Sequence, residues 1–185
     1  MKKMIDSQEE DEEDLGCEWA ADFDWLTDHV AVGGCFPIVR AAELADEHGI
    51  GAVVDLRQED CDDVGKLGGA GIDFLHLPAP DLEPAPVAML DQGVDFVRDR
   101  ISEGKRVLIH CQHGIGRSPL LALCVLIDQG WQPLTALAHA KDIRAVVSPS
   151  RSQYEGWVAW LASRGLPAPD YHAFGCIAYR HPASD

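Results

Sequence analysis

The apolar residues Val87, Leu90, Val94, Val97 and Ile101 recur at alternating spacings of three and four. That spacing puts them on one face of a helix, and it predicts a helix that opens at Pro86 and closes at Gly104. Ile38 to His48 reads as a shorter helix closed by Gly49. The run Ala52 to Leu56 is apolar but too short for a helix, and it predicts a buried strand. Ile72 to Leu77 and Arg106 to Ile109 predict two more strands, and residues 22–34 hold the first strand material. Residues 58–71 read as a connection rich in Gly and Asp. Residues 118–129 form an apolar helix pattern with Gly130 behind it, and Pro133 opens another that runs to about Arg144. Tyr154, Trp157, Val158 and Leu161 mark a last helix face, where the aromatics are expected to be core. No internal repeat is visible. Strands alternating with helices predict an α/β fold: a central, largely parallel sheet flanked by helices in a three-layer sandwich.

The chemistry sits where the Arg106–Ile109 strand meets the helix from residue 118. The connecting residues are His110-Cys111-Gln112-His113-Gly114-Ile115-Gly116-Arg117-Ser118-Pro119. A tight loop between a strand and a helix N-terminus aims backbone N–H groups and a positive dipole end at one point, which suits an anion. A free thiol titrates at about pH 8.5, and such surroundings favour its thiolate, so Cys111 is the candidate nucleophile. Arg117 has the planar fork that clamps two phosphate oxygens. Gly114 and Gly116 let the backbone approach a ligand closely. The amides of Gln112, His113, Gly114, Ile115, Gly116 and Arg117 are the expected phosphate cradle. Ser118 is placed to donate to the Cys111 sulfur and stabilise it as a leaving group. The reaction implied is phosphoryl transfer to sulfur followed by hydrolysis, with no cofactor and no metal. The cysteines at 17, 35, 61, 111, 124 and 176 form no Cys-x-x-Cys pair, which argues against a zinc site.

The pattern His-Cys-x-x-Gly-x-x-Arg-Ser resembles the signature of the cysteine-dependent protein tyrosine and dual-specificity phosphatase superfamily. The likeness extends over roughly residues 22–164, through Trp25–Gly34, Val53-Val54-Asp55-Leu56-Arg57, His76–Asp81 and Ser148–Gln153. The short length and compact loops are similar to the small dual-specificity type. A rhodanese-like sulfur transferase also has a Cys loop, but with four residues between Cys and Arg where this chain has five. The resemblance implies hydrolysis of phosphotyrosine, with phosphoserine and phosphothreonine as further substrates. It also implies a general acid upstream of the loop. Asp81, after the stiff Pro78-Ala79-Pro80 at the end of a strand, fits that position, and Glu83 is the alternative. By resemblance, His110 orients Cys111 and Gln153 positions the hydrolytic water. Gln153 also reads as an ordinary surface-helix residue. Arg57 and Arg144 are candidates to support loop carbonyls or carboxylates. His113 stands where many relatives have Ala. Relatives with His there include the RNA 5′-triphosphatase branch, which usually has Asn where this chain has Gly116.

Composition narrows the partners. The formal net charge is −16, and six consecutive acids run from Glu9 to Asp14. An acidic surface repels nucleic acid and anionic membranes, so neither is an expected partner. Phosphoinositide-type relatives tend to carry Lys in the loop, where Gln112 and Ile115 stand here. The expected partner is a phosphorylated protein, acted on by a monomer. The alternatives are a phosphatase of a nucleotide, sugar or inositol phosphate or RNA 5′ end, and an inactive phosphate-recognition module. At 185 residues the chain reads as a disordered acidic tail (1–18), one domain (19–164) and a C-terminal extension (165–185), which either docks or stays loose. No run of eighteen apolar residues occurs. The acidic start predicts no signal peptide, and unpaired cysteines with a reactive thiol fit the reducing cytoplasm.

Overall fold

The computed structural model describes residues 20–180, so the acidic opening segment lies outside the described residues. Five strands form one sheet in the order β1-β2-β5-β3-β4. β1 (Phe23–Trp25) pairs antiparallel with β2 (Val30–Gly33) at one edge. β2, β5 (Arg106–His110), β3 (Ile50–Arg57) and β4 (Asp73–Ala79) then run parallel. All four parallel strands therefore end at the same edge of the sheet, with β5 between β2 and β3.

Both faces of the sheet are covered, which is why the central strands are apolar without interruption. Successive side chains still part to opposite faces. Val107 and Ile109 of β5, with Val30, Val32, Ala52, Val54 and Leu56, join the larger core. Leu108, Ala31 and Val53 join the smaller one with Leu44, Leu67 and Ile72. The larger layer holds α3 (Val87–Ser102), α4 (Arg117–Asp128), α5 (Pro133–Ile143) and α6 (Arg151–Ser163). α4 is buried on all sides from Arg117 to Ile127, which explains its unbroken apolar run. α3 crosses it at Gly93, where a Cβ would come within 2.7 Å of the Leu121 side chain.

The structure adds detail that the apolar pattern missed. Ile38 to His48 is two pieces, a 3-10 turn (Ile38–Arg40) and α1 (Ala41–Asp46), and Gly49 closes it with a φ of +67°. The connection 58–71 contains α2 (Val64–Gly69), capped by Asp63, whose side chain accepts the Lys66 N–H. The C-terminal extension holds α7 (Tyr171–Ala178), capped by Asp170 and docked through fully buried Phe174 and Ala178.

Candidate active site

Cys111 to Gly116 link the end of β5 to the start of α4 at the C-terminal edge of the sheet. The loop is fastened to its neighbours along its length. The Cys111 N–H donates to the Gly33 carbonyl (3.3 Å), and the Cys35 N–H donates to the Gln112 carbonyl (3.2 Å). From outside, Arg144 donates through Nε to the Gly114 carbonyl (3.0 Å) and through Nη2 to the His113 carbonyl (3.1 Å). Asp24 and Asp22 hold the same guanidinium at 2.9 and 2.8 Å. Carbonyls drawn outward leave the loop amides turned inward. Gly114 has a φ of +65°, and a Cβ there would meet Arg144 Nη2 and the Gly33 carbonyl carbon at 2.6 Å. At Gly116 a Cβ would run into the Gln153 amide.

Burial pushes the Cys111 thiol up. The Ser118 hydroxyl and the amides of Ser118, His113 and Gly114 outweigh that, and the thiol is held below its ordinary value. Ser118 Oγ stands 3.3 Å from the sulfur and 3.1 Å from the Gly33 carbonyl, so one hydroxyl proton faces two acceptors. Burial raises the thiols of Cys35, Cys61 and Cys124 instead. Of these four, Cys111 is the sulfur whose surroundings favour the thiolate.

Arg117 is buried beside it. Nη1 donates to Glu59 Oε2 (2.7 Å) and to the Ala79 carbonyl (3.1 Å), and Nη2 donates to Glu59 Oε1 (2.7 Å). A guanidinium has five N–H donors. These bonds use three, so the fork left over is the Nε edge with the second proton of Nη2. Nε is buried and makes no hydrogen bond among the described residues. Asp81 Oδ1 is 3.4 Å from Nε, near enough to attract it but not aligned as a hydrogen bond. Gln153, expected either as a water-positioning residue or as a surface residue, is buried. Its Oε1 accepts the Ser150 N–H (2.8 Å), while its Nε2 has no hydrogen-bond partner among the described residues.

These groups meet in a pocket of about 180 Å³ lined by Asp81, Leu82, Cys111, His113, Ile115, Gly116, Arg117, Ser148 and Gln153. Two unpartnered buried donors at such a pocket mark where ligand oxygens belong. Glu83 does not line it. Asp81 is 63% exposed, on a loop whose next residue, Leu82, has a φ of +61°. That conformation is uncommon for a non-glycine residue. The Ser150 hydroxyl holds it by donating to the Leu82 carbonyl (2.7 Å).

On the other side of the loop lies a buried ionic network. His110 Nε2 is 2.8 Å from Asp62 Oδ2, and Nδ1 is 3.4 Å from the Cys111 carbonyl. Arg57 binds Asp55, Asp60 and Asp62 rather than the loop. Asp55, Asp62 and His110 are close enough together to ligate a cation. The guanidinium of Arg57 already supplies positive charge to both carboxylates. Two participants here, Glu59 and Asp62, were not singled out by the sequence reading. Each is one acid in an acid-rich stretch, and only the adjacency of β3 and β5 tells which one reaches Arg117 and which reaches His110.

The family model for the dual specificity phosphatase catalytic domain matches residues 35–160. The chain is 28% identical over 142 residues to "Phosphatidylglycerophosphatase and protein-tyrosine phosphatase 1" of Rattus norvegicus, covering 71% of this chain and 74% of that protein. It is 32% identical over 127 residues to "Dual specificity protein phosphatase 12" of Mus musculus, covering 68% of this chain but 36% of that protein. Among solved structures, Tk-PTP in its active form matches with a TM-score of 0.69 and 26% identity, over 75% of this chain and 95% of that one.

Proposed function

Since the chain belongs to the dual specificity phosphatase family and is a cysteine-dependent phosphoric monoester hydrolase, we propose that it dephosphorylates proteins, phosphotyrosine first and phosphoserine or phosphothreonine second. Cys111 is the nucleophile. Its thiolate attacks phosphorus, a P–S bond forms, and the bond to the leaving oxygen breaks. The loop amides of residues 112–117 and the free edge of Arg117 hold the non-bridging oxygens. The phosphate takes the Arg117 Nε that Asp81 faces, and the protonated Asp81 carboxyl donates to the departing oxygen. Water then attacks the phosphocysteine and gives its proton to the Asp81 carboxylate. The S–P bond breaks with its electrons on sulfur, where Ser118 donates. Gln153 Nε2 orients that water, and His110 holds the start of the loop.

The observation that carries this reading is the lowered thiol of Cys111 in a pocket that also contains two unpartnered donors, Arg117 Nε and Gln153 Nε2. The exposed apolar side chains of Leu82 and Ile115 at the same pocket favour an aryl leaving group. A lipid phosphate is the second reading, motivated by the name of the rat relative. The net charge of −16 opposes an anionic membrane surface. No helix among the described residues is long and apolar enough to cross a membrane.

Cys111→Ser is expected to abolish turnover while still binding vanadate, and iodoacetate is expected to alkylate Cys111 before Cys35 or Cys61. Activity surviving in the variant refutes the covalent route. Asp81→Asn should slow hydrolysis of an alkyl or unactivated aryl phosphate by roughly 10²–10⁴, and much less for p-nitrophenyl phosphate. Loss of that contrast, or its appearance in Glu83→Gln instead, removes Asp81 as the acid. For the substrate class, kcat/KM on a phosphotyrosine peptide is compared with that on phosphatidylglycerophosphate vesicles. Faster turnover of the vesicles overturns the protein assignment.

A further inference from the structure

The segment Ser148-Pro149-Ser150 bonds to three separate parts of the molecule in three consecutive residues. The Ser148 N–H donates to the Ile115 carbonyl of the cysteine loop (2.8 Å). The Pro149 carbonyl accepts from the Tyr179 hydroxyl (2.8 Å). Ser150 donates through Oγ to the Leu82 carbonyl beside Asp81 (2.7 Å). Ser150 also caps α6 in a two-way exchange. Its Oγ accepts the Gln153 N–H (3.1 Å), and its N–H donates to Gln153 Oε1. That exchange decides which end of the Gln153 amide is tied down and which end, Nε2, faces the pocket.

Tyr179 is the member of this set that comes from outside the matched domain of residues 35–160. It follows α7, whose seat is well fixed. Phe174 packs against Tyr154 and Trp157 with ring centroids 4.8 and 5.9 Å apart. The Tyr154 hydroxyl donates to the Pro169 carbonyl (2.7 Å), just before α7. Arg151, the first residue of α6, lies over the Tyr171 ring at 4.9 Å. Proline has no N–H, so the turn has a carbonyl at position 149 but no backbone donor there. The Tyr179 hydroxyl binds that carbonyl and adds to the bonds that Ser148 and Ser150 make on either side of it.

We propose that Tyr179 is a positioning residue for the hydrolytic half of the reaction: by holding the Pro149 carbonyl it fixes the turn that aims the Gln153 amide at the phosphocysteine. The proposal rests on the phosphocysteine reading above. Burial, with the Tyr171 hydroxyl 3.4 Å away, raises the Tyr179 hydroxyl above its ordinary range, so it stays a donor to Pro149 throughout the working pH.

Tyr179→Phe keeps the ring and its packing and removes the hydroxyl. With p-nitrophenyl phosphate, departure of the phenol needs little help, so a misaimed Gln153 slows the second step. The expected result is that kcat and KM fall together, by about twofold to tenfold, the worth of one hydrogen bond. kcat/KM is unchanged, and rapid mixing shows a burst of p-nitrophenol. Tyr154→Phe is the control for a loosened α7, because it removes the bond to Pro169 that helps seat that helix and leaves the Tyr179–Pro149 bond in place. It is expected to give no burst. A burst of equal size in Tyr154→Phe, or a fall in kcat/KM in place of kcat, shows general loosening and overturns the proposal. So does Tyr179→Phe with wild-type kinetics while Gln153→Ala bursts, an outcome that leaves the reading of the site intact. If Gln153→Ala shows no burst, the role of Gln153 falls and the proposal falls with it.

Discussion

Arg57 and Arg117 are both buried at the C-terminal edge of the sheet, each gripping a carboxylate with two nitrogens, yet they are left in opposite states. Arg57 bonds Asp55 through Nε and Nη2 (3.0 and 2.9 Å), Asp62 through Nη2 (2.6 Å) and Asp60 through Nη1 (2.7 Å). Its Nε edge is filled, and the fully buried carboxyl of Asp55 is held below its ordinary 3.8: burial opposes this, and the Arg57 hydrogen bonds and the neighbouring His110 overcome it. Arg117 hydrogen-bonds one carboxylate and one carbonyl, and its Nε, facing the Asp81 carboxylate at 3.4 Å, makes no hydrogen bond among the described residues. A buried arginine saturated by the fold is scaffold. One that the fold leaves partly unpartnered has donors free to take oxygens from a ligand. The same contrast separates Arg144, bonded to two loop carbonyls and two aspartates, from Arg117.

The contrast is tested first on stability. Arg57→Met leaves Asp55 and Asp62 buried without their cation, and is expected to destabilise the fold by about 3–5 kcal/mol in urea unfolding. A loss below about 1 kcal/mol would show that the network is not held together by Arg57. Next, Arg117→Lys keeps the charge and loses the open edge. The expected loss is about 2–4 kcal/mol in kcat/KM, the size of removing a preorganised oxyanion donor, with a smaller change in stability. The reverse pattern, a stable but sluggish Arg57 variant and an unfolded Arg117 variant, would exchange the two roles. The smallest effect concerns Glu59. The Arg117 hydrogen bonds hold its carboxyl down to about 2 from 4.5. A depressed folded value contributes stability above pH 4.5 that is lost as pH falls from there through about 2. Glu59 is 46% exposed, so solvent screens the pair and the slope is expected to be shallow. Glu59→Gln should flatten it in acid unfolding. An unchanged slope would mean that the pair does not contribute.

What was legible in the sequence follows from how local each signal is. The cysteine loop, its strand and its helix are contiguous, and the α3 stripe is periodic over several turns. α2 was missed because it is six residues long and half glycine, with Leu67 as its one buried side chain. α7 was missed because prolines 167 and 169 obscure the capping Asp170 that opens it. The partners of Arg117 and His110 were not legible for a different reason. Glu59 and Asp62 sit in a run of acids that local pattern cannot rank, and the choice among them is made by strand order. Gln153 carried two readings, and its burial removes the one that made it an ordinary surface-helix residue.

Gly116 and Gln153 are far apart in sequence, yet they share one small volume, since a Cβ at 116 would occupy the space of the Gln153 amide. The two positions therefore constrain each other: a side chain at 116 requires the end of the Gln153 side chain to turn aside. On the function proposed above, such a change would leave the first phosphoryl transfer in place and slow the release of phosphate from sulfur, so the loop glycine would set how long the enzyme carries its substrate's phosphate.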